Sequence, residues 1–215
     1  MATSAPETGK LIGNYIGGEF VDVDPARERL EDRNPATGEL LAQVPMSGDA
    51  EVQAAVEAAR AAFPAWRATS PLVRARAVMK LREVLEAHKD ELARLVTTDM
   101  GKTLDDAFAE VGRGIESVEH ATSTPVLLKG ENLEGIGTGV DVELVRQPVG
   151  VIAAITPFNF PAMIPLWFLP YAIACGNTFI LKPSEQDPLT SVRIMELIDG
   201  IEEIPKGVVN LVNGG

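Results

Sequence analysis

The pattern of apolar and polar residues changes its period near Gly150. Before that point, apolar residues recur three and four positions apart, which is the spacing of helices with one buried face. After it, short apolar runs alternate with longer helical stretches, a pattern typical of buried parallel strands joined by helices. The sequence therefore predicts an α-helical segment followed by an α/β part with a parallel sheet.

Three helical stretches are predicted ahead of Gly150, over 49–63, from 71 toward 101, and over about 103–128. Ser70-Pro71 marks the start of the second, since serine caps helices and proline suits the first helical position. Gly17-Gly18 predicts the tight turn of an early hairpin. The predicted organisation is a disordered N-terminus (1–10), a hairpin and helical part (11–138), a β-ribbon (139–148) and a βαβαβ part (149–215).

Polar segments follow two predicted strands of the βαβαβ part. Thr156-Pro157-Phe158-Asn159-Phe160-Pro161 comes after the run 149–155, and Lys182-Pro183-Ser184-Glu185 comes after the run 177–181. The carboxyl ends of parallel strands joined by one helix lie at the same edge of a sheet. We therefore expect an amide, an ammonium and a carboxylate to meet at one cleft, an arrangement suited to a dinucleotide.

Each of these side chains also has a purely structural interpretation. Asn159 has an amide that can stabilise an oxyanion, but asparagine in a proline-rich turn more often bonds local backbone. Glu185 has a carboxylate that can accept ribose hydroxyls, and the alternative is a surface ion pair with Lys182. Spacing alone favours the local-backbone role for Asn159.

Composition narrows the function classes. Hydrophobic residues make up 46% and charged residues 23% of the chain, and the net charge is −12. Because no basic cluster offsets this charge, nucleic acid and anionic membrane surfaces are unsuited as partners. Prolines interrupt the longest apolar stretch, which argues against a membrane span. One cysteine, no secretory signal and two histidines without metal-ligand spacing predict a cytoplasmic protein that holds no metal.

The segment ITPFNFPAMIPLWFLPYAIACGNTFILKPSEQDP resembles the cofactor-binding region of the aldehyde dehydrogenase superfamily. The similarity extends from 14–20 through 34–39 to the last residues, and it is strongest to the methylmalonate-semialdehyde dehydrogenase branch. It implies a Rossmann-like NAD-binding fold. It also implies oxidation of a semialdehyde with NAD and transfer of the acyl group to coenzyme A.

The resemblance assigns roles to individual residues. It implies that Asn159 forms the oxyanion hole and that Arg113 pairs with the substrate carboxylate. The residues that it places at the cofactor are Thr156, Pro157, Phe158, Lys182, Ser184 and Glu185. Gln186 departs from the arginine common in the branch, which puts the details of cofactor contact in question.

The resemblance also sets expectations for the whole protein. The chain is expected to be the N-terminal part of a longer homo-oligomeric enzyme, lacking the nucleophilic cysteine and the glutamate base and therefore inactive alone. Cys175 follows an apolar helix, which raises a thiol pKa, and is expected to be structural. The alternatives are a non-catalytic dinucleotide-binding module and a dehydrogenase for a neutral aldehyde.

Overall fold

The computed structural model describes residues 9–215. The strands are β1 (Lys10–Leu11), β2 (Asn14–Ile16), β3 (Glu19–Val21), β4 (Arg29–Arg33), β5 (Leu40–Pro45), β6 (Asn132–Gly137), β7 (Val140–Glu143), β8 (Val151–Ile155), β9 (Thr178–Lys182) and β10 (Val209–Leu211). The helices are α1 (Asp49–Ala68), α2 (Pro71–Ala87), α3 (Lys89–Met100), α4 (Leu104–Ala121), α5 (Thr124–Leu127), α6 (Met163–Ala174) and α7 (Leu189–Asp199). The prediction for 1–10 lies almost wholly outside the described residues.

The main sheet has the strand order β3-β2-β10-β9-β8. Strands β8, β9 and β10 run parallel, with Ile155 opposite Lys182 in the register, and α6 and α7 form the crossovers. The predicted α/β class with a parallel βαβαβ unit is confirmed. The hairpin β2–β3 adds two antiparallel strands, and Gly17 and Gly18 form its turn at φ of 64° and 90°, which confirms that prediction.

The ribbon differs from the prediction in its limits. Strands β6 and β7 pair antiparallel from Asn132 onward, so the boundary at 139 falls inside the ribbon and residues 144–148 form no strand. Strand β6 was missed because its sequence, NLEGIG, carries two glycines and little alternation of apolar and polar residues. A further three-stranded sheet has the order β1-β5-β4. Its strand β4 reads RLEDR, a charged sequence without the apolar alternation typical of strands.

The helices also differ from the prediction. The second stretch breaks at His88, which ends α2 and precedes α3 with φ of −110° and ψ of 14°. The third predicted stretch is interrupted at residues 122–123, between α4 and α5. In α1 the buried face carries Ala55 and Ala59, whereas Val52 is 49% exposed. Small residues face the sheet here, and α1 packs against β9 through them.

Helix α6 is apolar along its length, and its C-terminal carbonyls bond to side chains from other helices. Trp66 Nε1 donates to Ile173 O at 2.9 Å, and Arg74 Nε donates to Ala174 O at 3.0 Å. Arg74 is only 4% exposed. A buried guanidinium at this position satisfies a free carbonyl and opposes the negative end of the helix dipole.

Three buried aspartates meet beneath the turn that starts α7. Asp99 Oδ2 accepts the Leu189 N–H at 3.0 Å, and Asp32 lies against Asp99 with its carboxyl buried. Burial raises the pKa of Asp32 to about 6, and burial with the neighbouring Asp32 and Asp187 charges raises the pKa of Asp99 well above its usual range. Burial therefore shifts these carboxyls toward the protonated form, because ionising a buried carboxyl costs more than ionising one in water.

Asp187 is the third member and follows the Lys182–Glu185 segment directly. It is 2% exposed, and burial raises its pKa to about 7. Within residues 9–215 no group of three or more His, Cys, Asp or Glu side chains is arranged to hold a metal ion. In that same range, no helix combines the length and apolar character that crossing a bilayer requires.

We predict that Asp187→Asn stabilises the fold increasingly as the pH rises from 4 to 7. The folded-state pKa of about 7 lies above the ordinary value of 3.8, so this carboxyl favours folding fully below pH 4 and loses that contribution toward pH 7. Asparagine does not titrate. The difference in free energy of unfolding, variant minus parent, should grow by about 2 to 4 kcal/mol across this window and then level off.

Urea unfolding at pH 4 to 8 measures this difference. Asp22→Asn, at an exposed position on the surface, is the matched control and should show no such trend. A difference for Asp187→Asn that stays constant with pH would contradict the account.

Candidate functional site

The two polar segments begin side by side at the carboxyl edge of the main sheet. Ile155 and Lys182 are register partners in the parallel pair, and the Thr156 N–H donates to Lys182 O at 3.0 Å. One segment leads into α6 and the other into α7. The edge therefore brings the start of both segments together, as the βαβ pattern predicted.

The second segment carries a paired lysine and glutamate. Lys182 Nζ lies 3.2 Å from Glu185 Oε2 and donates to Gly214 O at 2.6 Å, and the two side chains are 23% and 30% exposed. The pKa of Glu185 is lowered by its own backbone N–H and then by the Lys182 ammonium. Glu185 is therefore an anion with a partly solvated carboxylate, which suits it to accept hydroxyl groups.

Ser184 lies inside this second segment and is 7% exposed. Its Oγ accepts the Gln186 N–H at 3.1 Å, so it shapes the turn between Lys182 and Asp187. Gln186, where the sequence departs from the family pattern, contributes its backbone N–H to this turn.

The first segment presents three exposed residues, Pro157, Phe158 and Asn159, after the buried Thr156. Phe158 is 51% exposed. Within the described residues 9–215 the Asn159 carboxamide has no hydrogen-bond partner. The backbone carbonyl of Asn159, in contrast, accepts from Lys102 Nζ at 3.0 Å.

Lys102 and Glu110 adjoin this segment, and the sequence analysis missed both. Lys102 Nζ lies 2.5 Å from Glu110 Oε2, and the Glu110 side chain is 1% exposed. Glu110 Oε1 accepts the N–H groups of Ala162 and Met163 at 2.9 and 3.2 Å. A signal was present, since a glutamate inside the apolar stripe of α4 is unusual unless it is paired.

Gly114 explains how α4 comes close enough for these contacts. It lies one turn after Glu110, and an added Cβ would lie 2.8 Å from Leu166 Cδ1 and 3.5 Å from Met163 Cα. The absence of a side chain lets the backbone of α4 approach the first turn of α6. Glu110 reaches the free N–H groups of α6 from this position.

Arg113 is exposed on α4. No acidic side chain among residues 9–215 forms an ion pair with it, so its guanidinium is available to a ligand carboxylate. The structure places it in the same helix as Glu110.

Cys175 lies at the opposite end of α6 from Asn159. The helix of 12 residues separates the two by roughly 18 Å, at 1.5 Å per residue. Burial raises the pKa of the Cys175 thiol, opposed by the nearby Arg74 charge. Distance and weak acidity both support the structural role expected for Cys175.

Chemically, the candidate residues are an exposed amide donor on the first segment, an anionic acceptor with a cation beside it on the second segment, and an exposed guanidinium on α4. An amide donor of this kind stabilises charge that develops on a carbonyl oxygen. A carboxylate at the end of a parallel strand is the group that binds ribose hydroxyls in dinucleotide folds.

Comparison with known proteins gives consistent results. A sequence model of the aldehyde dehydrogenase family matches residues 20–215. A malonate-semialdehyde dehydrogenase from Bacillus cereus (strain B4264) is 51% identical over 206 residues, which are 96% of this chain and 42% of that protein.

Solved structures agree. A candidate methylmalonate-semialdehyde dehydrogenase from Sinorhizobium meliloti 1021, complexed with NAD, superposes with a TM-score of 0.91 at 45% identity, over 96% of this chain and 42% of that one. An NADP-dependent enzyme from E. coli superposes with a TM-score of 0.89 at 35% identity, over 96% and 42%. The chain thus spans about two fifths of the length of these relatives. The resemblance seen in the sequence is confirmed, and the chain belongs to the aldehyde dehydrogenase family.

Proposed function

We propose that this chain is part of a dehydrogenase that oxidises malonate or methylmalonate semialdehyde with NAD and forms an acyl-CoA. The observation that supports the proposal is the parallel pair β8–β9, at whose carboxyl ends the segment with Asn159 and the segment with Lys182 and Glu185 both begin. Similarity to malonate- and methylmalonate-semialdehyde dehydrogenases supports the substrate class. Because the chain covers 42% of those proteins, the nucleophilic cysteine and the base are assigned to the part outside it.

The residues at the sheet edge fit a nicotinamide dinucleotide. Glu185 has a partly solvated carboxylate for the adenosine ribose hydroxyls, and Lys182 holds that carboxylate in place. The first segment would contact the cofactor through Thr156, Pro157 and Phe158. Ser184 supports the turn beneath them. Bound NAD would supply the hydride acceptor. An anionic Glu185 disfavours a 2′-phosphate, which supports NAD over NADP.

Asn159 and Arg113 would act on the aldehyde. The free carboxamide of Asn159 would donate to the aldehyde oxygen as charge develops there, an effect worth about 3 kcal/mol. Arg113 would pair with the substrate carboxylate through two parallel hydrogen bonds. The oxidised acyl group would then pass to the thiol of coenzyme A.

A non-catalytic dinucleotide-binding module is the second candidate, favoured for the isolated chain by the position of Cys175. We expect the 215-residue chain to show no NAD reduction with malonate semialdehyde. Measurable turnover by the purified chain would overturn this assignment of the nucleophile.

The ribbon supports a homo-oligomer. Both of its strands are exposed, including Leu133, Ile136 and Val140, which are 56%, 59% and 52% exposed. We propose that it pairs with another subunit, and light scattering that found only monomers of the complete enzyme would contradict this.

We also propose a cytoplasmic location, since a single cysteine suits a reducing compartment.

We predict that Glu185→Gln in the complete enzyme raises KM for NAD by about tenfold to a hundredfold, because a charge-assisted hydrogen bond to ribose becomes a neutral one. The same change should narrow the preference for NAD over NADP. Steady-state kinetics with both cofactors measures this. Glu203→Gln is the matched control, since Glu203 is exposed ahead of β10 at the opposite edge of the sheet.

An unchanged KM for NAD in Glu185→Gln would contradict the ribose assignment. A wild-type enzyme that used NADP better than NAD would contradict the cofactor assignment itself.

We predict that Arg113→Ala lowers kcat/KM for malonate semialdehyde by about a hundredfold, because a bidentate ion pair to the substrate is lost. Turnover of acetaldehyde, which has no carboxylate, should change less than about threefold. Arg94→Ala, at an exposed position on α3, is the control. Equal losses on both aldehydes would favour a dehydrogenase for neutral aldehydes.

A further inference from the structure

Lys102 connects α4 to a segment more than fifty residues further along the chain. It follows Gly101, which ends α3 in the left-handed conformation at φ of 88°. Its Nζ bonds the Glu110 carboxylate at 2.5 Å and Asn159 O at 3.0 Å, and it lies 4.2 Å from the centre of the Phe160 ring. The ammonium therefore joins α4 to the turn that carries Asn159.

Glu110 joins the same helix to α6. Its second carboxylate oxygen accepts the N–H groups of Ala162 and Met163, the first of which precedes the helix. Ala162 has no side chain that could cap α6, so these N–H groups depend on Glu110. An anion at this end also complements the positive end of the helix dipole.

The Asn159 turn is thus held from both ends by one ion pair. Lys102 fixes the carbonyl at Asn159, and Glu110 fixes the amides that follow Pro161. The two side chains are 12% and 1% exposed, and charge-assisted hydrogen bonds in such a place are strong and directional. Ser191 Oγ adds a contact to Pro161 O at 3.3 Å.

The restraint acts on the backbone and leaves the carboxamide free. Fixing the carbonyl of Asn159 and the following amides fixes the direction of its Cα–Cβ bond. The carboxamide itself is exposed and bonds no other residue in the described part of the chain. A donor held in this way needs little reorganisation when charge develops on a substrate oxygen.

We propose that Lys102 and Glu110 are a positioning pair that aims the Asn159 carboxamide at the aldehyde oxygen. The pair acts through the Asn159 turn. The inference rests on the proposed function, in which Asn159 is the oxyanion donor.

A kinetic double-mutant cycle in the complete enzyme tests this. We expect Asn159→Ala to lower the single-turnover rate of NADH formation by about 10² to 10³. Lys102→Met should lower it by about 10- to 100-fold, with KM for the aldehyde nearly unchanged. In the Asn159→Ala background, Lys102→Met should change the rate by less than about twofold, because its effect passes through the residue already removed.

The matched control is Lys80→Met, which removes an exposed lysine that also pairs with a glutamate, Glu83, at 3.0 Å. It should leave the rate unchanged in both backgrounds. If Lys102→Met costs the same factor with and without Asn159, the pair is merely structural and the proposal is overturned. No loss in either background would overturn it as well.

A second readout does not depend on activity. We expect the backbone order parameter of Asn159 to fall from about 0.85 toward 0.6 in Lys102→Met, measured by ¹⁵N relaxation. Glu110→Gln, which keeps an acceptor for the α6 amides but loses the ion pair, serves if Lys102→Met fails to fold. A complete enzyme that oxidises no aldehyde would overturn the proposed function, whereas an unchanged order parameter would overturn the positioning pair.

Discussion

Two helices of the α/β part begin without caps of their own, and buried carboxylates from the helical segment supply them. Glu110 of α4 bonds the first N–H groups of α6, and Asp99 of α3 bonds the first N–H group of α7. Each of these helices directly follows one of the two site segments. The position of the Asn159 turn and of the Lys182–Glu185 turn therefore depends on how α3 and α4 pack, although neither helix belongs to the sheet.

The two caps differ in how their charge is balanced. Glu110 has Lys102 as its cation at 2.5 Å, so its carboxylate is buried as part of an ion pair. Asp99 has Asp32 and Asp187 beside it, and their charges help to raise its pKa. A buried carboxyl without a cation lowers its cost by keeping a proton. The same structural task is thus met by an ion pair under one site segment and by carboxyls with raised pKa values under the other.

These two arrangements are also connected. Besides burial, the Asp32 and Glu110 charges help to raise the pKa of Asp187, and the Lys102 charge lowers it. The helical segment is consequently more than a cover for the sheet. It supplies the buried carboxyl groups that bond the backbone at the start of α6 and α7, next to the two site segments.

The parallel strands and the hairpin could be predicted from the sequence because local pattern determines them. The run before Thr156 and the pair Gly17-Gly18 are consistent with only a few backbone conformations. Which face of α1 is buried could not be predicted, since Ala55 and Ala59 pack against the sheet while Val52 is exposed. A strand as charged as β4 forms only because β5 pairs with it.

The site could be predicted in part, for a related reason. Asn159, Lys182 and Glu185 follow strands, and strand order alone places them at one edge. Lys102 and Glu110 act on residues more than fifty positions away, so their roles depend on the packing of α4 against α6. No local pattern contains that information.

The central claim is that Glu110 holds the start of α6 and so fixes the Asn159 turn. Residue-resolved hydrogen exchange of the Ala162 and Met163 amides in the unmodified chain tests it most directly. The account predicts that both amides exchange nearly as slowly as the core amides of β9, because a buried carboxylate bonds them. Exchange as fast as that of exposed turn amides would contradict it.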